Sequence, residues 1–301
     1  MALSTYNIKK WYLMLTGHSI LHVNQDLGRH FSTTELKGYY NNLTEKVIRL
    51  PHLLDNEELP TSPDESGGQI LFPVAIFQYG LGCYDLYLAS GQSDNRYLRK
   101  FMQCAEWAVD KQEPSGAWNN FFFRHPQHPY GAMAQGEGVS LLLRAYALTG
   151  EERFLATSQK AIDFMLKPVS EGGTADGHIL LEYTHLPAVM NGWIFAWWGL
   201  YDYVIVAQDK GHYKEWLEKS CASLEENLSA FSNTYWSMYD LAGHIASPFY
   251  HHLHIAQMQA MYQLTGHAIF RHYQEKWERD KSSKLCFARA FVKKAWQKLR
   301  E

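Results

Sequence analysis

Tyr87-Leu88-Ala89-Ser90-Gly91, Tyr146-Ala147-Leu148-Thr149-Gly150 and Tyr262-Gln263-Leu264-Thr265-Gly266 are three versions of one short phrase. Each closes an apolar run and is followed by a second, amphipathic stretch. A degenerate fourth copy has Tyr203 ahead of Asp209-Lys210-Gly211. The four tyrosines stand 59, 57 and 59 residues apart. That repeat length is one helical hairpin plus a long connection. The glycines at 91, 150 and 266 suit the position just past a helix end, where the backbone turns left-handed.

Working outward from these phrases, the first helix of each pair lies near residues 78–89, 136–149, 192–208 and 252–264. These segments are the more apolar ones, as an inner ring requires. The second helices are Tyr97–Lys111, Phe154–Lys167, Tyr213–Leu228 and Phe270–Lys281. In the first of them Phe101, Ala105, Ala108 and Val109 keep three-and-four spacing around Cys104 and Trp107. Stacked hairpins with a buried inner ring predict an all-α fold, an α/α toroid (an incomplete barrel) over residues 73–301. Residues 1–72 differ in kind and read as an arm wrapping the body. Within it, Thr33-Thr34-Glu35-Leu36-Lys37 predicts a helix start capped by Thr33. Asp55–Gly68 reads as an extended linker.

The long connections are where function is expected. Glu113–Pro129 carries Pro114, Gly116, Trp118 and Arg124. Pro168–Pro187 carries Gly172, Gly173, Gly177 and a short strand-like piece, Ile179-Leu180-Leu181-Glu182-Tyr183. Ala230–Tyr250 carries Tyr235, Trp236, Tyr239 and Tyr250. All three run into an inner helix, which places them at one mouth of the toroid.

Composition narrows the function classes. The 301 residues suffice to bury roughly three quarters of the unfolded surface. A formal charge of −3 gives no attraction for nucleic acid, which is excluded as a partner. Aromatic residues make up 15% of the chain, either packing its core or lining a cleft on which sugar rings stack. Cys83, Cys104, Cys221 and Cys286 form no C-x-x-C pair and read as buried, reduced thiols. The apolar run Trp11–Leu15 lies between Lys9-Lys10 and Thr16-Gly17-His18. It is too short for a membrane span or a secretion signal, so no membrane span and a cytoplasmic location are expected.

No dinucleotide fingerprint, phosphate loop or serine elbow is present, so no cofactor is expected. His251 and His254, at i and i+3, have the spacing of a metal pair. No acidic or sulfur ligand stands at a matching distance, so they read instead as hydrogen-bonding residues and no metal is assigned. Glu182, Tyr183, Tyr239, Asp240 and Tyr250 are cleft-wall or core residues on spacing alone.

The stretch Pro129-Tyr130-Gly131-Ala132-Met133-Ala134-Gln135-Gly136-Glu137-Gly138-Val139-Ser140-Leu141-Leu142-Leu143-Arg144-Ala145-Tyr146 resembles the catalytic domain of the D-glucuronyl C5-epimerases, which act on heparosan-type chains. Gln78-Tyr79-Gly80-Leu81 agrees, as do Glu182-Tyr183, Val189-Met190-Asn191-Gly192 and Gly199-Leu200-Tyr201-Asp202. Tyr239-Asp240-Leu241 and Tyr250-His251 through His254-Ile255 complete the order. The resemblance covers residue 72 to about residue 280. It implies inversion of C5 of D-glucuronate to L-iduronate within a uronic-acid-containing polysaccharide, in a short bacterial member acting as a homodimer. It implies Glu182, Tyr183, Tyr239 and Tyr250 as catalytic residues. Gln135, Asn191, His251, His254, Arg124, Trp118, Tyr130 and His244 become candidate substrate-binding residues.

The chemistry agrees with such a set. The C5 proton lies α to a carboxylate and is weakly acidic, so its removal needs a base and stabilisation of an enolate-like intermediate. Inversion needs a second acid–base group on the opposite face. Glu182 is assigned to one face and Tyr250 to the other. The sequence departs from the family where an arginine closely follows Tyr-Asp-Leu: it reads Tyr239-Asp240-Leu241-Ala242-Gly243-His244. His244 or Arg124 is then the expected carboxylate partner. The competing readings are a uronan lyase, which expels the C4 oxygen after the same proton removal, and a glycoside hydrolase pairing Glu182 with Asp240 or Glu137. A non-catalytic sugar-binding protein is the fourth.

Overall fold

The computed structural model describes residues 8, 9, 12, 13, 18, 19, 22–64, 66–208 and 210–300. Trp11, Leu15 and Asp209 lie outside them. The four expected hairpins are present as α2 (Pro73–Ala89) with α3 (Asn95–Lys111), α4 (Ala132–Thr149) with α5 (Glu152–Leu166), α6 (Met190–Val206) with α7 (Gly211–Asn227), and α8 (Pro248–Thr265) with α9 (Ala268–Ser282). A short α1 (Thr44–Ile48) precedes them and α10 (Lys284–Arg300) follows. Among the described residues, strands are confined to two two-residue ladders. β1 (Ser62–Pro63) pairs antiparallel with β2 (Gln69–Ile70), and β3 (Ala175–Asp176) with β4 (Ile179–Leu180). The chain is all-α. No described helix is long and apolar enough to cross a membrane.

The first helices pack side by side in chain order, α2 on α4, α4 on α6, α6 on α8, and each carries its own second helix on the outside. Inner and outer helices differ as the sequence pattern predicts. In α4 every residue from Ala132 to Ala145 is buried, whereas α3 buries only one stripe, including Phe101, Cys104, Ala105 and Ala108. Where α4 meets α6 the backbones touch: a Cβ on Gly199 would come within 2.4 Å of Gly136 Cα. Any larger residue there would push the two central helices apart. Gly91, Gly150 and Gly266 all have positive φ, as the repeat requires.

The inner helices begin two to five residues earlier than the apolar pattern suggests. Their first turns lie under the long loops and are covered all round, so no polar edge marks the start. The expected helix at Thr33–Lys37 is absent; these residues form bends. The Thr33 carbonyl, which would accept the first intrahelical bond, accepts instead from Tyr201 Oη at 2.7 Å, and the Arg144 guanidinium donates to Lys37 O at 2.7 Å and Gly38 O at 3.1 Å. The Asp55–Gly68 stretch is tighter than a linker. It starts in a 3₁₀ turn (Pro51–Asp55), and the Asp64 carboxylate accepts from the N–H groups of Ser66 and Gly68. Cys83, Cys104 and Cys221 are buried free thiols, while Cys286 is only half-buried.

The arm belongs to the same core as the helices: Tyr39, Tyr40, Leu43, Val47, Leu53 and Leu54 are buried in one cluster with Phe195 and Trp198. Tyr40 Oη donates to Asp202, and the Asp85 carboxylate accepts from Tyr39 N–H at 2.9 Å.

Candidate active site

The first turns of all four inner helices converge on one cavity of about 220 Å³. Val74, Ala75 and Gln78 come from α2, Met133 from α4, Asn191 and Phe195 from α6, and Phe249, Tyr250 and Leu253 from α8. Helix N-termini present unsatisfied N–H groups and partial positive charge, so their meeting favours an anionic ligand. The loop before α4 adds Asn120, Phe121, Phe123 and Arg124, and the loop before α6 adds Glu182 and Tyr183. The arm contributes His22, Gln25, Lys46, Ser62 and Pro63.

Glu182 follows β4. The backbone of this segment is tied to α4, Leu181 O accepting from Ala132 N–H at 2.8 Å. Its side chain lies against Gly192 in the first turn of α6, where any Cβ would stand 2.4 Å from Glu182 Oε2. Burial raises its carboxyl to about 7, opposed by the hydrogen bond that Tyr183 donates. Its Oε2 is buried without a hydrogen-bond partner. A carboxylate with a free lone pair and a pKa near neutrality is suited to take a proton. Tyr183 itself stacks on Phe121, ring centroids 4.6 Å apart. Burial lifts its phenol well above the ordinary value, with Glu182 adding to the rise and Arg124 opposing it.

Tyr250 is the third residue of α8. Pro248 opens that helix, and the Ser247 hydroxyl caps it by accepting from Tyr250 N–H at 3.3 Å. Tyr239 lies 4.8 Å from it, ring to ring, and hydrogen-bonds to it. Tyr239 reaches there because its strand-like segment runs beside the start of α6: Met190 N–H donates to Tyr239 O, and Leu241 N–H to Ala188 O. Burial raises both phenols above their usual range. At neutral pH the tyrosines are therefore proton donors and Glu182 the acceptor. Asn191 is buried on the cavity wall, and its Oδ1 has no hydrogen-bond partner.

Of the expected site residues, Glu182, Tyr183, Tyr250, Asn191 and Arg124 line the cavity, and Tyr239 stands directly behind Tyr250. The others lie elsewhere. Gln135 and Trp118 are buried against each other: Trp118 N–H donates to Gln135 Oε1, Gln135 Nε2 donates back to Trp118 O, and the indole donates to Ala108 O. Tyr130 donates to Glu113 and packs edge-on against Phe164. His251 and His254 share the Ser237 hydroxyl through their Nδ1 atoms, at 2.8 and 2.9 Å, and His251 Nε2 donates to Trp277 O. Burial drives His251 down to about 3 and His254 well below its usual value, so both are neutral and structural. His244 pairs with Asp240 at 2.7 Å. Asp240 Oδ1 also accepts from Ala242 and His244 N–H, which uses up the carboxylate that a hydrolase would need. The aromatic segment Tyr235-Trp236 is also not cleft wall: Trp236 is buried with Ile245 and Ala290 and stacks on His251.

Lys46 and His22 were missed by spacing, and Glu137 was considered only as a hydrolase's second carboxyl. Lys46 and His22 arrive from the arm, which has no repeat. Glu137 sits in a run that is buried all round; it accepts from Gln78 Nε2 at 2.7 Å. Their only sequence signal is a charge beside apolar residues, Lys46 between Leu43 and Val47.

The model of the D-glucuronyl C5-epimerase C-terminus family matches residues 112–279. An uncharacterized protein of Methanocaldococcus jannaschii is 32% identical over 160 residues, 49% of this chain and 51% of its own. The D-glucuronyl C5-epimerase of Caenorhabditis elegans is 31% identical over 125 residues, 37% of this chain and 20% of its own. The chain thus matches about half of the first relative's length and a fifth of the second's. Among solved structures, the Lin0763 protein from Listeria innocua shares the fold, with TM-score 0.56 at 12% identity over 86% of this chain and 78% of that one. Because the family model spans more than half of the sequence, the chain belongs to the D-glucuronyl C5-epimerase C-terminus family.

Proposed function

We propose that this protein inverts C5 of a glucuronate residue within a polysaccharide, by proton removal on one face and proton return on the other. The observation that carries the reading is the meeting of Glu182, Tyr183, Asn191 and Tyr250 on a single cavity at the positive ends of four helices. In the forward direction the Glu182 carboxylate takes the C5 proton. The electron pair left on C5 spreads into the substrate carboxylate, forming an enolate-like intermediate held by hydrogen-bond donors and positive charge. Tyr250, protonated at neutral pH, gives its proton to the opposite face of C5, and the C–H bond re-forms with inverted configuration. Glu182 then carries the extra proton and Tyr250 lacks one; exchange through solvent restores both. The return reaction uses them in swapped roles. Tyr183 orients Glu182, and Tyr239 stabilises the Tyr250 phenolate by donating to it. No step requires a nicotinamide, because no carbon is oxidised. A cavity of this size holds one sugar ring, with the remainder of the polymer outside.

The test is solvent exchange. Incubated in deuterated water with heparosan, the protein is expected to place deuterium at C5 of glucuronate. Glu182→Gln and Tyr250→Phe are each expected to reduce that exchange at least ~100-fold, the scale of lost acid–base catalysis. The wild-type rate is expected to rise as pH climbs through about 7, as Glu182 ionises. No label in any glucuronate polymer sinks the reading, and unsaturated products absorbing in the ultraviolet would replace it with a lyase.

A further inference from the structure

We propose that α10 docks the protein on a membrane surface of anionic phospholipid, lying flat in the headgroup region. The helix has two apolar faces. One packs on the body. Ala290 is buried there with Trp236 and Ile245, and Cys286 rests against them. On the same side Gln297 accepts from Ile245 N–H at 2.9 Å and donates to Gly243 O at 3.0 Å. The other face is bare. Leu285, Ala288, Phe291, Val292, Ala295 and Trp296 recur at three-and-four spacing, and all are exposed. Leu285 and Val292 are 70% and 67% exposed. Among the described residues, no other helix exposes as many large apolar side chains.

Charge decides what covers that face. α10 carries six Lys or Arg residues and no Asp or Glu, in a chain whose formal charge is −3. By the helical period, Arg289, Lys293 and Arg300 border the apolar stripe along one side, and Lys284 stands at its start. Ring contacts hold these cations at the border. Arg289 lies over the Tyr235 ring at 4.3 Å, and Lys293 and Arg300 lie over the Trp296 ring at 4.7 and 3.6 Å. An apolar stripe edged with cations suits a bilayer. The stripe enters the boundary of the acyl chains while the cations reach the lipid phosphates. A second copy of this chain fits badly, because two such faces brought together oppose cation to cation with no acid between them. A polysaccharide also fits less well. Sugars stack on flat rings, whereas Leu285 and Val292, the most exposed of the stripe, offer neither a ring nor a hydrogen bond. The remainder of the chain is net acidic, so an anionic surface repels the body and attracts α10, which sets the orientation of approach.

Co-sedimentation of the full chain with vesicles tests this, on phosphatidylcholine alone and on phosphatidylcholine mixed with phosphatidylglycerol. Wild type is expected to bind the mixed vesicles, to ignore the neutral ones and to be released by high salt. A cation near an anionic surface is worth roughly fivefold in partition, so Lys293→Gln combined with Arg300→Gln is expected to lose at least ~10-fold. Leu285→Ser combined with Val292→Ser should lose at least as much with every charge intact. All four side chains are exposed, so both variants should unfold at the wild-type temperature. A wild-type chain that binds neither vesicle overturns the proposal, as does unchanged binding by either folded variant. Sedimentation velocity and titration with soluble heparosan look for the other occupants. A dimer that Leu285→Ser with Val292→Ser dissolves assigns the face to a second copy and overturns the lipid reading. Heparosan affinity that Lys293→Gln with Arg300→Gln abolishes, while vesicle binding is unchanged, assigns it to a polyanion and overturns that reading too.

Discussion

The two ends of the central helices α4 and α6 bury charge in opposite ways. Toward their C-termini, Arg144 and Asp202 form an ion pair at 2.7 Å, with side chains 1% and 0% exposed. Arg144 also donates to Lys37 O, Gly38 O and Ser140 O, and Asp202 also accepts from Tyr40. Its donors meet acceptors in nearly every direction. Toward the N-termini of the same helices, Glu137, Glu182 and Asn191 each leave a buried oxygen without a hydrogen bond. An unmade hydrogen bond in a buried site costs about 1–3 kcal/mol, so such a cluster weakens the fold unless a ligand completes it. At one end of the scaffold the charged pair itself is fully engaged; at the other, carboxyl and amide oxygens are left open. The open end is where Glu182, Tyr183, Asn191 and Tyr250 meet.

The comparison breaks most visibly if the closed end is opened. Asp202→Ala leaves Arg144 charged, buried and short of its partner. The expected cost is about 3–5 kcal/mol of unfolding free energy, measured by urea denaturation at pH 7. The arm should loosen with it, since Arg144 and Asp202 hold Lys37, Gly38 and Tyr40. Replacing both partners by apolar residues, Arg144→Met with Asp202→Leu, is expected to cost less than the single change. An Asp202→Ala protein as stable as wild type would mean that the pair is not what ties arm to body.

The open end should respond with the opposite sign. The folded state holds the Glu182 proton up to about 7, against an ordinary value near 4.5. The native chain thus binds more protons than the unfolded one between those limits, and stability falls as pH rises through them. Glu182→Gln, which does not ionise, is expected to match wild type near pH 4 and to exceed it by roughly 1–3 kcal/mol at pH 8. Denaturation at the two pH values measures the difference. A variant that is inactive and also less stable at pH 8 would show that Glu182 supports the fold instead of being held open for chemistry.

The two ends were also unequally legible. The closed scaffold was readable because the Tyr-to-Gly phrase marks each hairpin end chemically: glycine tolerates the left-handed turn that stops a helix, and three of the four copies keep it. Helix starts were less readable, because a first turn buried on every side has no periodic signature. The proposed site residues were singled out only through resemblance. Glu182 and Tyr183 lie in a loop, Tyr250 in a helix cap, and nothing in their spacing sets them apart from Gln135, Trp118, His251 or His254, which turned inward to satisfy neighbours. Lys46 was invisible for another reason. A lysine in Thr-Glu-Lys-Val reads as a solvated helix face, and only the folding of the arm over α2 brings it to the cavity.

The smallest effect tests the hinge between the two ends, the cap that delivers Tyr250. Ser247 Oγ satisfies one N–H of the first turn of α8, and that N–H belongs to Tyr250 itself. Ser247→Ala is expected to cost about 1 kcal/mol in unfolding, the usual worth of an N-cap. It should also let the first turn fray, moving the phenol relative to Tyr239 and C5. The exchange rate at saturating polymer should then fall several-fold with KM nearly unchanged, because binding groups on α2 and α6 are untouched. Ser247→Asp, which restores the capping oxygen, should recover stability and most of the rate. If Ser247→Ala lowers stability by that amount but leaves the rate alone, Tyr250 is positioned by its ring packing against Tyr239 and Phe249, and the cap serves only the fold.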